Sequence, residues 1–185
     1  MEDNAIIDLY WSRSEEAITQ TDAKYGRYCY RIAYNILTNR QDAEESVSDT
    51  YLAAWNHIPP TRPDVFSTFL GRITRNISIS RWRAMGAQRR GGGETQLAFE
   101  ELRECVSGNQ SIENDLIAKE ALKVLNRFLE TLPREHRIVF LRRYWYLDPI
   151  ANIAVSCGFS QSKVKTMLCR DRKKLKQMLK KEGYV

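Results

Sequence analysis

Apolar residues recur at three- and four-residue steps along most of this chain, and that spacing predicts helices. Between residues 14 and 38, Ile18, Tyr25, Tyr28, Cys29, Ile32, Ala33, Ile36 and Leu37 share one apolar face. Asn39-Arg40 is a break. A second helix is expected from Asp42, with acids in its first turn where they complement the helix dipole. Its inner positions are Ala43, Val47, Tyr51, Ala54, Trp55 and Ile58, and Pro59-Pro60 ends it, because proline has no N–H and disfavours helix in the residue before it. Pro63 keeps the following loop extended. A third helix is expected from Asp64 to Trp82, striped by Phe66, Leu70, Ile73 and Ile77, with Arg72, Arg75, Asn76 and Arg83 mostly off the stripe.

The pattern changes at Gly86. From there to Ser111 the chain holds Gly91-Gly92-Gly93, Gly108, Asn109 and several acids, and reads as a flexible linker with room for a short helix at Leu97 to Leu102. Periodicity resumes near Ile112. Leu116, Ala121, Val124, Leu125, Phe128 and Leu132 line a helix that Pro133 ends. Arg134 to Leu147 is another, with Ile138, Val139, Leu141 and Tyr144 on or near its buried side. Residues 148–176 then read DPIANIAVSCGFSQSKVKTMLCRDRKKLK. A short apolar helix meets a turn at Cys157-Gly158-Phe159, where the glycine supplies a positive φ. A second helix follows, capped by Ser160. That is the layout of a helix-turn-helix, whose second helix enters the major groove of DNA. Strand signals are weak throughout. The expected fold is therefore all-α: two small helical bundles joined by a flexible linker, with the domains at 1–85 and 112–185, the linker at 86–111, and the helix-turn-helix in the C-terminal domain.

Charge adds direction. The chain of 185 residues is 43% hydrophobic and carries a formal +6, which suits a polyanionic partner. Between Asp64 and Glu94 there are six arginines and no acid; from Ser160 to Lys181 there are nine Lys and Arg against one acid, Asp171. Residues 42–49 instead hold four acids and no base, so more than one partner is expected. Cys29, Cys105, Cys157 and Cys169 form no C-x-x-C pair, and His57 and His136 sit near none of them in sequence. Reduced thiols of a cytosolic protein are expected rather than a zinc site. The first residues lack a signal-peptide pattern, and no apolar run approaches the ~20 residues of a membrane span. The expected location is the cytoplasm, with no membrane insertion. No nucleophile–base pair or cofactor motif stands out, and the triple glycine lacks the strand and Lys-Ser/Thr of a phosphate-binding loop. Neither an enzyme nor a cofactor is expected.

The second helix of the helix-turn-helix is the clearest candidate site. Ser160 caps it, and Ser162, Lys163, Lys165 and Thr166 lie in its first turns, which reach base edges in this motif. Arg170 and Arg172 come later and suit phosphates, while Val164, Leu168 and Leu175 face inward. Upstream, Arg72, Arg75, Asn76, Arg81 and Arg83 suit the phosphates of a single strand. Asp42, Glu45 and Asp49 share a helix face; taken alone, such acids are more often a solvated surface.

Four segments in order resemble one family. NRQDAEESVSDTYLAAW (39–55) is similar to D-A-E-D/E-x-x-Q-x-x-F/Y-x-x-x-W; FSTFLGRITRNISISRWR (66–83) resembles F-x-x-W-L-x-x-I-A-R-N-x-x-x-D-x-x-R. LETLPREHRIVFLRRYW (129–145) matches L-x-x-L-P-x-x-x-R-x-V-F-x-L-R, and GFSQSKVKTMLCRDRKKLK (158–176) is similar to G-x-S-x-x-T-V-K-S-R-L-x-R-A-R-x-x-L. These are the motifs of the extracytoplasmic-function (ECF) sigma factors, subunits that give bacterial RNA polymerase its promoter specificity. The resemblance implies that Asp42, Glu45 and Asp49 dock on core polymerase, a partner contacted through its β′ and β subunits. It implies that the Arg72–Arg83 helix and the loop of Thr61, Arg62 and Asp64 melt the −10 element and hold a flipped base. It implies −35 recognition by the C-terminal helix, a linker near the polymerase active-site channel, and an anti-sigma partner, which where membrane-bound would hold the protein there. Phe69, Ser80, Ser48, Lys163 and Met167 depart from the family pattern, as does DPIANIA (148–154) where Y-x-E-I-A is usual. A stand-alone helix-turn-helix regulator would leave the acidic and arginine helices unexplained. A sigma-like adaptor would bind polymerase without choosing promoters.

Overall fold

Three apolar stripes in the first half of the chain must be covered, and in the computed structural model they cover one another. The structure describes residues 1–85, 94–103, 105 and 115–183. They fall into two compact units, Met1–Gly91 and Gly92–Val185. Among the described residues there are nine helices and no strand, the all-α pattern expected. None of the helices is long and apolar enough to cross a membrane.

The first unit holds α1 (Asp3–Trp11), α2 (Glu16–Leu37), α3 (Arg40–His57) and α4 (Phe66–Ala84). Helices α2, α3 and α4 pack mutually, and α1 lies on α2. Asn39 starts α3: its side-chain oxygen accepts the Asp42 N–H at 3.0 Å, so the helix begins at Arg40, two residues before the expected start. At the centre Phe66 lies 5.7 Å from the Tyr25 ring and 6.0 Å from Tyr10, centroid to centroid. Sequence periodicity did not predict α1. Ile6, Ile7 and Tyr10 are buried with Leu9 partly covered beside them, and one short turn-and-a-half of inward positions is too little to display a period.

The inner face of α4 also differs from the expected stripe. Phe66 and Leu70 are buried, but Ile73 and Ile77 are only half-buried, and Phe69, Gly71, Thr74, Ser78 and Ile79 take the inner places. The reason lies on α3, which buries Ser46 and Thr50. The Thr50 and Thr74 hydroxyls meet at 3.2 Å. Thr50, Thr74 and Ser78 each donate to the carbonyl four residues back. Small side chains with satisfied hydroxyls thus line a contact where hydrophobicity alone puts isoleucines. Ser46 Oγ is buried there without a partner.

The second unit holds α5 (Glu94–Arg103), α6 (Asp115–Thr131), α7 (Arg134–Tyr144), α8 (Ile150–Cys157) and α9 (Gln161–Lys181). Helix α9 packs on α6, α7 and α8, and α5 packs on α7. Of the stretch read as linker, residues 86–93, 104 and 106–111 lie outside the described residues, as do 112–114 at the start of the C-terminal domain. Residues 94–103 form α5, longer than the short helix expected there, with Thr95 and Ala98 buried. The side chains of Leu116 and Ala121 also lie outside the description. Helix α7 turns Val139, Phe140, Arg143 and Tyr144 inward and leaves Ile138 41% exposed, contrary to its expected burial. Phe140 is 5.2 Å from Phe128 and 4.6 Å from Tyr144 between centroids, and this aromatic packing sets the helix rotation.

The turn between α8 and α9 is as the sequence implies. Gly158 ends α8 with φ +68°, and the Phe159 N–H reaches back to the Ala154 carbonyl at 2.9 Å. Ser160 then caps α9, accepting the Lys163 N–H at 3.1 Å. No atom lies within 4 Å of a Cβ built on Gly158, so Gly158→Ala meets backbone strain alone. Chemical denaturation of that variant is expected to show a loss of about 1–2 kcal/mol. Phe66→Ala, which empties the centre of the first unit, is expected to lose about 3–5 kcal/mol in the same measurement.

Candidate nucleic-acid and polymerase interfaces

Helix α9 separates its two faces cleanly in its first turns. Val164, Met167 and Leu168 are buried, and Ser162, Lys163, Lys165 and Thr166 are exposed. Met167, where the family pattern has arginine, is therefore a packing residue here. The Lys163 ammonium sits 3.5 Å from the centroid of the Phe159 ring, and the Thr166 hydroxyl donates to the Ser162 carbonyl at 3.0 Å. Arg170 is exposed.

Further along α9 two charges turn inward, while the lysines from Lys173 onward stay exposed. Asp171, the lone acid of the basic segment, is buried and meets His136 Nδ1 at 2.9 Å, tying α9 to the start of α7. Arg172 donates to the Tyr144 hydroxyl at 2.8 Å and lies 3.2 Å from Glu101 of α5. Burial by itself would lower the Arg172 pKa, but the Tyr144 hydrogen bond and the Glu101 charge outweigh it and raise it. Arg172 was expected to suit phosphate; the structure gives its guanidinium an internal setting.

In the first unit, α3 carries Asp42, Glu45 and Asp49 on one face. Asp42 is half-buried and Glu45 exposed. Arg81 of α4 reaches across to that face: it ion-pairs with Glu45 and with Asp49, the latter at 2.8 Å. Burial by itself would pull the Arg81 pKa down, but the two carboxylates outweigh it and raise it. Two acids expected at polymerase and one arginine expected at DNA thus form a single cluster. One residue of this face was not anticipated. Leu52 lies three positions after Asp49 and is 59% exposed. Its signal in the sequence was an apolar residue off the helix stripe.

The expected base-holding loop is tied to α1. Arg62 donates to Asp8 at 2.7 Å, while Thr61 and Asp64 are exposed. Beside it, Ala53, His57, Phe69, Arg72, Ile73, Asn76 and Ile77 line a cleft of about 400 Å³ between α3 and α4. Its walls are mostly apolar, with Arg72 and Asn76 exposed. Arg75 is half-buried, and burial together with the neighbouring Arg83 charge lowers its pKa. Arg83 is exposed.

Comparison with known proteins bears on both units. Residues 23–88 match the family Sigma-70 region 2, and residues 122–175 match Sigma-70, region 4. Together the matches span about two thirds of the chain, and α5 belongs to neither. No curated protein matches the sequence. The structure of CnrH in complex with the cytosolic domain of CnrY is similar at 20% identity and a TM-score of 0.44, over 98% of this chain and 99% of that one.

Arg81 is part-exposed and its two carboxylates more so. Arg81→Ala is therefore expected to lower stability by only about 0.5–1 kcal/mol in denaturant titration, as surface ion pairs do.

Proposed function

We propose, from the premise that this chain belongs to the sigma-70 family of promoter-recognition subunits of RNA polymerase, that it is a sigma factor of the ECF group. It binds core polymerase and promoter DNA. It works in the cytoplasm, opens no covalent bond itself, and acts by positioning polymerase on DNA. The observation that carries the reading is the combination in one chain of a folded helix-turn-helix, its cationic first turns exposed, with a region 2 domain bearing an acidic helix face.

Each surface has a physical task. Ser162, Lys163, Lys165 and Thr166 meet base edges of the −35 element, with Arg170 on phosphate. Arg72, Arg75, Asn76 and Arg83 hold the phosphates of the melted −10 strand. The cleft beside His57, together with Thr61, Arg62 and Asp64, receives an unstacked base, which the apolar Ile73 and Ile77 walls suit. Asp42, Glu45, Asp49 and Leu52 dock on the polymerase. Arg81 holds α3 to α4 beneath that face. Complementary charge there speeds docking and sets register, and Leu52 supplies apolar contact. The family resemblance of the motifs extends the proposal to an anti-sigma partner.

Run-off transcription with purified chain, core polymerase and a genomic fragment library tests the assignment. Starts that require the chain and share a −35/−10 pair are the expected outcome. A stable complex without starts would instead favour the adaptor. Lys163→Ala or Lys165→Ala is expected to weaken promoter binding by about 1–3 kcal/mol with altered −35 preference. A loss uniform across sequences would reassign that lysine to phosphate. Asp42→Arg combined with Leu52→Ala leaves the Arg81 ion pairs intact. It is expected to weaken core binding about tenfold, measured by fluorescence anisotropy, with helix content unchanged.

A further inference from the structure

Glu101 lies on α5, in the stretch between residues 88 and 122 that neither family match reaches. Its carboxylate is only 22% exposed and gathers donors from two helices. The Tyr144 hydroxyl donates to Oε2 at 2.8 Å, and Arg172 Nη1 faces the same oxygen at 3.2 Å. Arg143 donates through Nε to Oε2 at 3.3 Å and through Nη2 to Oε1 at 3.4 Å. Arg172 in turn donates to Tyr144 at 2.8 Å, which closes a ring of contacts between α5, α7 and α9. Arg143 is 1% exposed, and a guanidinium so buried requires anionic company. Helix α5 is also seated by apolar burial at Ala98, which is fully covered, and just past its end the Cys105 thiol donates to the Arg172 carbonyl at 3.7 Å.

We propose that Glu101 is a positioning residue for −35 reading: it sets the rotation of α9 against α7, with Arg172 as its internal counter-ion rather than a contact to phosphate. The inference rests on the reading of α9 as the −35 helix. Arg172 lies about 9–13 Å along the helix from Lys163 to Thr166, so a small rotation there moves the base-reading groups past hydrogen-bond tolerance. The −35 module accordingly begins at α5, and the segment that resembles a spacer contributes to specificity.

The test uses the full chain reconstituted with core polymerase, carrying Glu101→Gln, Arg172→Gln or both. Affinity is measured on duplexes with matched and scrambled −35 elements across a salt series, beside thermal unfolding. Each single variant is expected to lower matched-over-scrambled discrimination about five- to tenfold, with the double variant no worse than the weaker single. The salt slope should be unchanged. Glu101→Asp, which keeps the charge, should recover part of the discrimination. A salt slope reduced by about 1 in Arg172→Gln would make Arg172 a phosphate contact and overturn the proposal. Additive losses would overturn it, as would tighter DNA binding by Glu101→Gln, which would make Glu101 a shield. Equal loss on matched and scrambled duplexes with a lowered unfolding temperature would reduce Glu101 to a stability role. If the unsubstituted holoenzyme shows no −35 preference, the reading of α9 fails and the proposal with it. If it discriminates and the variants do so equally well, the proposal alone fails.

Discussion

A guanidinium taken out of water must find an anion, and this requirement shapes the chain's C-terminal half more than any single apolar contact. Arg143 sits on the inner face of α7 with 1% of its surface exposed. The apolar neighbours Val139, Phe140 and Tyr144 force that face inward, so the arginine goes with them. Its charge calls for a carboxylate, and Glu101 of α5 supplies one. The same carboxylate receives Tyr144 and faces Arg172, so α5, α7 and α9 are held about one centre. The placement of the recognition helix is a consequence of how a buried charge is satisfied.

The first unit shows a milder version of the same device. Arg81 of α4 is shared between Glu45 and Asp49 of α3, in a more exposed setting where such pairs contribute little energy but still fix geometry. In both units, then, a helix with outward-facing cations also carries an arginine turned toward a neighbour's acid. The cationic total overstates what α4 can offer to DNA, since Arg75 and Arg81 are half-buried. On α9 eight of the nine cations are exposed, and Arg172 alone is turned inward. On α4 the exposed positions include Arg72, Asn76 and Arg83.

Much of this was legible in the sequence wherever the cause is local. Gly158 could be assigned a left-handed conformation because a turn between two helices needs one, and φ is +68°. Ser160 could be read as a cap from its place before a periodic run, and the bond to the Lys163 N–H is there. The outward positions of α9 follow from helix spacing once Val164 and Leu168 are inside. Other features had no local signature. Helix α1 fully buries only three residues. The inner face of α4 uses Thr74 and Ser78, which hydropathy marks as polar and only the opposing Ser46 and Thr50 make sensible. Leu52 looked like one more apolar residue until the rotation of α3 left it 59% exposed.

What the sequence determined by itself was therefore the content of each helix: its period, its caps, its breaks and the signs of its charges, all set by interactions between residues a few positions apart. What the tertiary structure decided was which charges are working surface and which are internal ties. Arg170 and Arg172 stand two apart on the same basic helix, yet one is exposed and the other faces Glu101 from 71 positions upstream. No periodicity encodes that difference, because a charge pair between distant segments exists only after the apolar faces have brought those segments together.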